Sequence, residues 1–142
     1  MFNRDDEHIN LFFRYSFCIS IDDLNLIDEI KIKNVDNIII DEGQFLKNLK
    51  KNVLYWVEKL NKNVIISGLD GDYKRNPIGE ILELLPYADN YKKLKALCLI
   101  CKNGNPALFS YRLIDNKDQI LIGEQNTYMP LCRKHYLEKN NN

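Results

Sequence analysis

The sequence predicts an α/β fold, in which a parallel sheet with covering helices is followed by a small cysteine-containing unit. Two continuous β-branched runs separated by one amphipathic helix pattern predict the sheet. After residue 90 the pattern changes to short strand-like pieces between turn residues, which predicts a separate unit. We therefore assign residues 1–90 to a partial α/β core, 91–139 to the small unit and 140–142 to a disordered tail.

Composition excludes several classes of protein. Twenty Lys and Arg balance twenty Asp and Glu, so no overall field draws the chain to nucleic acid or to an anionic membrane. Residues 91–142 carry nine basic against four acidic residues without interleaved aromatics, and nucleic acid is not an expected partner. The apolar runs fall short of the roughly 20 residues of a membrane span, and the acidic start is unlike a signal peptide. We expect a soluble, cytoplasmic protein.

The first elements are a strand and a helix. The run LFFRYSFCIS at 11–20 is apolar enough for a buried strand. In the next stretch Asp22 or Asp23 can cap a helix, because Leu24, Ile27 and Ile30 then recur at helical spacing.

A strand–helix–strand unit follows. The run NIIID at 37–41 and the run VIISG at 64–68 are predicted strands covered on both faces, and Leu46 to Leu60 form the clearest amphipathic helix. Such a unit is right-handed and binds ligands beyond the carboxyl ends of its strands, where DEGQ and LDGD lie. A further helix is predicted from Pro77 to about Ala88.

Strand-like pieces at 95–101, 107–114 and 119–123 make up the small unit, together with four metal-ligand residues. Cys98 and Cys101 form a CxxC, and Cys132 and His135 form a CxxH after a thirty-residue gap. Two such pairs can close a tetrahedral Zn²⁺ site, and four protein ligands indicate a structural site rather than a catalytic one. The alternatives are unrelated buried thiols or an incidental disulfide.

Two sites of possible chemistry lie at the strand ends. Of the two carboxylates Asp41 and Glu42, one could hold hydrated Mg²⁺ while the other accepts a proton. Beyond a tight turn at Asp70-Gly71, Tyr73 could supply an aromatic wall for a phosphorylated ligand, and Lys74 and Arg75 could supply cationic groups. The alternatives are a strand that ends in solvated acids and a plain surface turn.

Taken together, IIIDEGQF, SGLDGDYKRNPIGEI, LPYADNYKKLKALCLIC, ALFSYRL and IGEQNTYMPLCRKHY resemble the later two thirds of the zinc-ribbon thymidine kinases, the cellular and poxvirus-like type. Order and spacing match from about residue 35 to residue 136. The resemblance implies a P-loop-kinase-like sheet, truncated here, and a zinc ribbon with a lasso loop. It also implies thymidine and ATP as substrates, Mg²⁺ with ATP, structural Zn²⁺ and a homotetramer.

The resemblance also implies residue roles. Glu42 corresponds to the general base that takes the proton from the thymidine 5′-hydroxyl, and Asp41 to the carboxylate on the Mg²⁺ side. Phe45, Leu69 and Tyr73 match nucleoside-pocket positions, and Tyr128 matches a tyrosine of the lasso. Backbone groups of the segment Ile122, Gly123 and Glu124 would read the thymine edge.

The family's phosphate-binding loop, GxxxxGK[ST], has no counterpart, because the first glycine is Gly43. One interpretation is a thymidine kinase polypeptide that is truncated, split or wrongly started, with the phosphate site completed by another segment. The alternative is a non-catalytic, zinc-binding remnant that binds nucleoside or joins an intact kinase subunit.

Overall fold

The computed structural model of the protein describes residues 18–121 and 127–141. Most of the predicted strand at 11–20, and the predicted thymine-reading segment Ile122, Gly123 and Glu124, lie outside these ranges. Ser20, the last residue of the predicted strand, has no regular secondary structure. No helix in the described ranges is long and apolar enough to cross a bilayer.

The α/β part (residues 18–90) contains the predicted parallel unit. Strands β1 (Asn37–Ile40) and β2 (Asn63–Ile66) pair in parallel, with Ile38 opposite Val64 and Ile40 opposite Ile66, and α2 (Leu49–Glu58) connects them. The prediction of a parallel strand–helix–strand unit is therefore confirmed. Both strands end earlier than the predicted 41 and 68, so Asp41 and Ser67 lie in the loops at the carboxyl edge of the sheet.

The first predicted helix divides into two short ones. A 3-10 turn (Leu24–Leu26) begins after Asp23, and α1 (Glu29–Lys33) begins after Asp28. Each aspartate accepts a backbone N–H two residues ahead, at 2.9 Å. Asp28 therefore offers the chain a second helix start inside the predicted helix, and Ile27 is extended between the two.

Helix α2 is capped from elsewhere in the chain. Asn48 precedes it in the left-handed conformation and makes no side-chain cap. Instead the Glu80 carboxylate accepts the Lys50 backbone N–H at 2.7 Å, and the Lys50 ammonium contacts Glu83 at 3.0 Å. The region before α3 (Ile81–Leu84) is thereby tied to the start of α2.

The helix predicted from Pro77 begins four residues later. Pro77 forms an isolated bridge with Gly71, and Gly79 has a φ of 60°, so the chain turns before α3 can start. A 3-10 turn (Leu85–Tyr87) follows α3 and ends at Ala88, as predicted.

The core of the α/β part lies between α2 and one face of the sheet. On the opposite face Ile39 and Ile65 pair directly across the strands and are 64% and 62% exposed. Within the described residues the sheet is therefore covered on one face only, in contrast to the prediction of two covered faces. The buried residues of this core are Leu24, Ile32, Ile40, Leu49, Val53, Trp56 and Leu84.

The C-terminal unit (residues 91–121 and 127–141) contains two small antiparallel sheets and a helix. Strand β3 (Ala96–Leu97) pairs with β4 (Pro106–Ala107), β5 (Phe109–Arg112) pairs with β6 (Tyr128–Leu131), and α4 covers Arg133–Asn140. Neither β6 nor α4 was predicted, whereas residues 119–121 of the predicted third strand are irregular.

Helix α4 reaches residue 140, the first residue of the predicted tail. Asn140 is the last helical residue, and its side-chain amide donates to the Tyr136 carbonyl at 2.7 Å. Asn141 follows as the flanking residue, and its N–H bonds the Leu137 carbonyl. Asn140 is therefore part of the folded unit, because this bond and the helix hold it against Tyr136.

Candidate functional site

The loops after β1 and β2 hold each other at the carboxyl edge of the sheet. The Ser67 N–H donates to the Ile40 carbonyl at 2.8 Å, and the Gly43 N–H donates to the Ser67 carbonyl at 2.9 Å. The Ser67 hydroxyl donates to the Asp41 carboxylate at 2.7 Å, and the Glu42 N–H donates to the same oxygen at 3.0 Å. Asp41 is thus fixed by two donors that engage one of its oxygens.

Glu42 has an unusual backbone. Its φ of 52° lies in the left-handed region, which costs a residue with a side chain about 1–3 kcal/mol and is typical of functional sites. Gln44 holds it there: the Gln44 amide donates to the Glu42 carboxylate at 2.5 Å, while its carbonyl accepts the Leu69 N–H at 2.9 Å. Gln44 is 4% exposed. It therefore links the predicted base to the predicted nucleoside pocket.

Glycines leave the space that Gln44 occupies. A Cβ on Gly68 would lie 2.2 Å from the Gln44 side-chain oxygen, and a Cβ on Gly79 would lie 2.3 Å from the Gln44 carbonyl. The sequence interpretation did not single out Gln44. The available signal was its place in DEGQ, next to a glycine that permits close backbone approach.

The loop from Asp70 to Pro77 is organised by Asp72. Its carboxylate accepts the backbone N–H groups of Lys74 and Asn76, both at 2.8 Å. Burial raises the pKa of Asp72, but the hydrogen bonds from Asn76, Lys74 and Gln119 together hold it below the ordinary value. The turn therefore lies at Tyr73–Lys74 rather than at the predicted Asp70-Gly71, because Asp72 closes it.

Arg75 contacts the C-terminal unit. Its guanidinium lies 5.0 Å from the ring centre of Tyr136 and 5.8 Å from that of Phe109. The Tyr136 hydroxyl in turn donates to the Tyr73 carbonyl at 2.6 Å. These contacts join the two parts of the molecule, and none of the described contacts of Arg75 reaches Asp41 or Glu42.

Tyr73 and Tyr128 are brought together by Arg112, which the sequence interpretation did not assign. The Arg112 guanidinium lies 3.7 Å from the ring centre of Tyr73 and 5.3 Å from that of Tyr128, and it donates to the Tyr128 hydroxyl at 2.8 Å. An arginine in a predicted strand carries no signal of burial by itself, so the sequence alone could not have found it. The other predicted pocket residues, Phe45 and Leu69, are exposed, and the Leu69 N–H is bonded to Gln44.

The four predicted metal ligands converge in the C-terminal unit. Their ligand atoms all lie within 4.8 Å of one another. The Sγ atoms of Cys101 and Cys132 are 3.8 Å apart, and the three sulfurs lie 3.3–3.5 Å from the Nδ1 atom of His135. A tetrahedral zinc ion with these ligands has S–S edges of about 3.8 Å and S–N edges of about 3.6 Å. The cluster therefore fits a metal ion such as Zn²⁺.

Local structure explains why the ligands meet. Cys98 and Cys101 lie at the turn after β3, where the Cys98 N–H donates to the Asn105 carbonyl at 2.8 Å. Cys132 immediately precedes α4, and His135 lies in its first turn on the same side. Burial raises the pKa of Cys98, but backbone N–H groups of Cys132 and Cys101 and the His135 ring lower it to about 5. A thiol of this kind is ready to bind a metal ion.

Comparison with known proteins agrees with this geometry. The family model of thymidine kinase matches residues 3–136. The chain belongs to the thymidine kinase family. It is 43% identical over 104 residues to a thymidine kinase of Oryza sativa subsp. japonica, covering 73% of this chain and 38% of that protein. It is 38% identical over 120 residues to a thymidine kinase of Yaba monkey tumor virus, covering 83% of this chain and 65% of that protein.

The length of the match varies among these relatives. A third relative, a thymidine kinase of Mycoplasma mobile, is 43% identical over 104 residues, which cover 71% of this chain and 50% of that protein. The chain thus spans from about two fifths to two thirds of the curated relatives it matches.

Proposed function

We propose that this chain carries the nucleoside-binding and proton-accepting part of a cytoplasmic thymidine kinase. The reaction is ATP-dependent phosphorylation of the thymidine 5′-hydroxyl, giving dTMP. The observation that carries the proposal is the position of Glu42, which Gln44 holds in a left-handed conformation at the carboxyl edge of a parallel sheet. Ligands of open α/β sheets bind at this edge. We infer that the sheet belongs to a P-loop-kinase-like core.

Glu42 is the proposed general base. It would accept the proton of the 5′-hydroxyl as that oxygen bonds to the γ-phosphorus of ATP and the bond to the β,γ-bridging oxygen breaks, releasing ADP. Glu42 is exposed, so it can reach a bound hydroxyl, while its bond to Gln44 limits where it points. This restraint supports the proposal, since a base acts only from within hydrogen-bond distance.

Asp41 is the proposed carboxylate on the Mg²⁺ side. Ser67 and the Glu42 N–H both engage its Oδ1 atom, and within the described residues no protein donor bonds Oδ2. One exposed carboxylate oxygen suits Mg²⁺, which keeps several waters and needs few protein ligands. Bound Mg²⁺ would neutralise charge on the ATP phosphates. Arg75 remains our proposal for a phosphate contact, although its contacts here are aromatic.

The nucleoside site combines both parts of the molecule. We assign Phe45, Leu69 and Tyr73 to the pocket wall, and Tyr128 to the lasso that covers it. Backbone groups of the segment Ile122, Gly123 and Glu124 would read the thymine edge. The four-ligand cluster would hold structural Zn²⁺, which fixes β6 and α4 and hence, through Tyr136, the Tyr73 backbone.

A second candidate function rests on one sequence observation. The 142 residues contain no glycine before Gly43 and no GxxxxGK[ST] motif, so the ATP phosphates would be held by groups outside them. The alternative is a zinc-binding chain that binds nucleoside without turnover or associates with an intact kinase subunit. The kinase and the nucleoside-binding form of the alternative both require a nucleoside site, and they differ in turnover.

The test is an assay of the full chain with zinc, thymidine, ATP and Mg²⁺. Glu42→Gln removes the base and keeps the bond geometry, and Glu58→Gln at an exposed helix position serves as the matched control. Thymidine binding is measured by calorimetry on all three proteins. We expect Glu42→Gln to bind thymidine like the wild type and to lose turnover by about 10²–10⁴-fold.

The outcomes separate the candidates. If Glu42→Gln loses turnover and Glu58→Gln keeps it, the result supports the kinase proposal. Thymidine binding without turnover in any of the three proteins supports the non-catalytic alternative. A chain with neither binding nor turnover contradicts the kinase and the nucleoside-binding form of the alternative.

A further inference from the structure

Arg112 is a buried cation with an unusual set of partners. It ends β5 and is 6% exposed. Within the described residues it forms no salt bridge, and its partners are instead three backbone carbonyls and a tyrosine hydroxyl. A buried charge is costly unless it is hydrogen-bonded, and within the described residues the buried Nε atom of Arg112 has no hydrogen-bond partner. An arginine held in this way indicates a role in organising the groups around it.

Its hydrogen bonds restrain one loop and one side chain. Nη1 donates to the carbonyls of Asn116 and Asp118, at 2.8 and 2.5 Å. Nη2 donates to the Gln119 carbonyl at 3.3 Å and to the Tyr128 hydroxyl at 2.8 Å. The Tyr128 hydroxyl in turn donates a hydrogen bond to the Leu121 carbonyl at 3.0 Å. The loop from 116 to 121 is therefore tied to the first residue of β6.

The same guanidinium contacts the α/β part. Its carbon lies 3.7 Å from the ring centre of Tyr73, within the range of a strong cation–π contact. The Tyr73 hydroxyl donates to the Asn116 carbonyl at 3.4 Å, and the Gln119 amide donates to the Asp72 carboxylate at 3.3 Å. Arg112 therefore lies at the centre of the contact between the loop and the turn that carries Tyr73.

We propose that Arg112 is a positioning residue, which fixes Tyr73 and Tyr128 relative to each other. The proposal rests on the proposed function, in which these two tyrosines contact the nucleoside. Only a planar fork can stack on one ring while it donates to several carbonyls and to the hydroxyl of the other. A lysine keeps the charge but cannot make these bonds together. The side chain itself has no assigned contact with the substrate.

The experiment compares Arg112→Lys and Arg112→Met with Lys117→Met, which removes the same charge from an exposed position of the same loop. Zinc content shows that each variant keeps the C-terminal unit. Ring signals of Tyr73 and Tyr128 are followed by NMR, with assignments from Tyr73→Phe and Tyr128→Phe. Thymidine dissociation constants are measured by calorimetry. If Arg112→Met does not fold, Arg112→Lys carries the test.

We expect Arg112→Lys to shift both ring signals and to weaken thymidine binding about tenfold or more, because it removes several charge-assisted bonds. Lys117→Met should behave as the wild type. Unchanged ring signals, or unchanged thymidine binding in a folded Arg112→Lys protein, would overturn the proposal. If the wild type binds no thymidine, the proposed function fails. The ring signals then test positioning alone. A shift in Arg112→Lys supports it, and unchanged signals contradict it.

Discussion

The two parts of this molecule are held together by different means. In the α/β part seven buried side chains from β1, α2 and the shorter helical elements, among them Leu49 and Trp56, form one core. In the C-terminal unit the buried cluster has five residues, and two of them, Cys98 and Cys132, are predicted metal ligands. A unit with so small a core needs a further source of stability. A metal ion bound at the Cys/His cluster would supply this stability, which apolar packing supplies in the α/β part.

Metal removal is the largest expected perturbation of this contrast. Binding at structural zinc sites has apparent free energies of about 10–16 kcal/mol, and such units unfold without the metal. We expect a chelator, or Cys132→Ser, to unfold residues 96–121 and 127–141 while β1, α2 and β2 stay folded. Hydrogen exchange resolved along the chain would show this. Cys18→Ser, at an exposed position outside the cluster, is the control. Equal loss of amide protection in both parts would show that the stability of the α/β part depends on the metal as well.

A core cavity should perturb the other part. Leu49 is fully buried, and Leu49→Ala should lower the free energy of unfolding of the α/β part by about 2–5 kcal/mol. Leu26→Ala, at a position that is 72% exposed, is the matched control. The single tryptophan, Trp56, contacts the same core and reports unfolding by fluorescence. Zinc content should stay unchanged. Zinc loss in the Leu49→Ala protein would show that the C-terminal unit depends on this core.

A pair of glycines compares the two parts at matched backbone conformations. Gly79 and Gly104 both have positive φ, at 60° and 80°. A Cβ on Gly79 would meet Gln44 backbone atoms at 2.3–2.8 Å, whereas one on Gly104 would meet nothing within 4 Å. We expect Gly79→Ala to destabilise by about 3 kcal/mol, through overpacking and backbone strain. Gly104→Ala should cost about 1 kcal/mol, from strain alone. Equal costs by urea unfolding would contradict the role of close packing around Gln44.

The same contrast explains which features the sequence could predict. The convergence of Cys98, Cys101, Cys132 and His135 was predictable because their spacing is typical of a metal-binding cluster. The parallel unit was predictable because its two apolar runs and its helix are periodic. Helix starts were less accurate, since Asp28 offers a second cap and Gly79 delays α3.

Long-range polar contacts could not be predicted from the sequence. Glu80 caps α2 from thirty residues away, and Gln44 joins Glu42 to Leu69. Arg112 gathers its partners from a loop, from β6 and from the turn of the α/β part. Such contacts have no periodicity, because each depends on where the chain brings a distant group. The proposed site therefore depends most on the residues that sequence patterns reveal least.

The smallest expected effect lies where the two parts meet, at Asp72. Its pKa is below the ordinary value of 3.8, so its bonds contribute stability that is complete above pH 3.8 and is lost as the pH falls through the lower folded value. Two of these bonds come from the amides of Lys74 and Asn76. NMR signals of these amides should titrate with a midpoint below 3.8 and should not titrate there in Asp72→Asn. Asp89→Asn, at an exposed position, should leave the titration unchanged. A wild-type midpoint at or above 3.8 would show that this turn does not depend on the charge of Asp72. The contact of Tyr73 with the C-terminal unit would then not depend on that charge either.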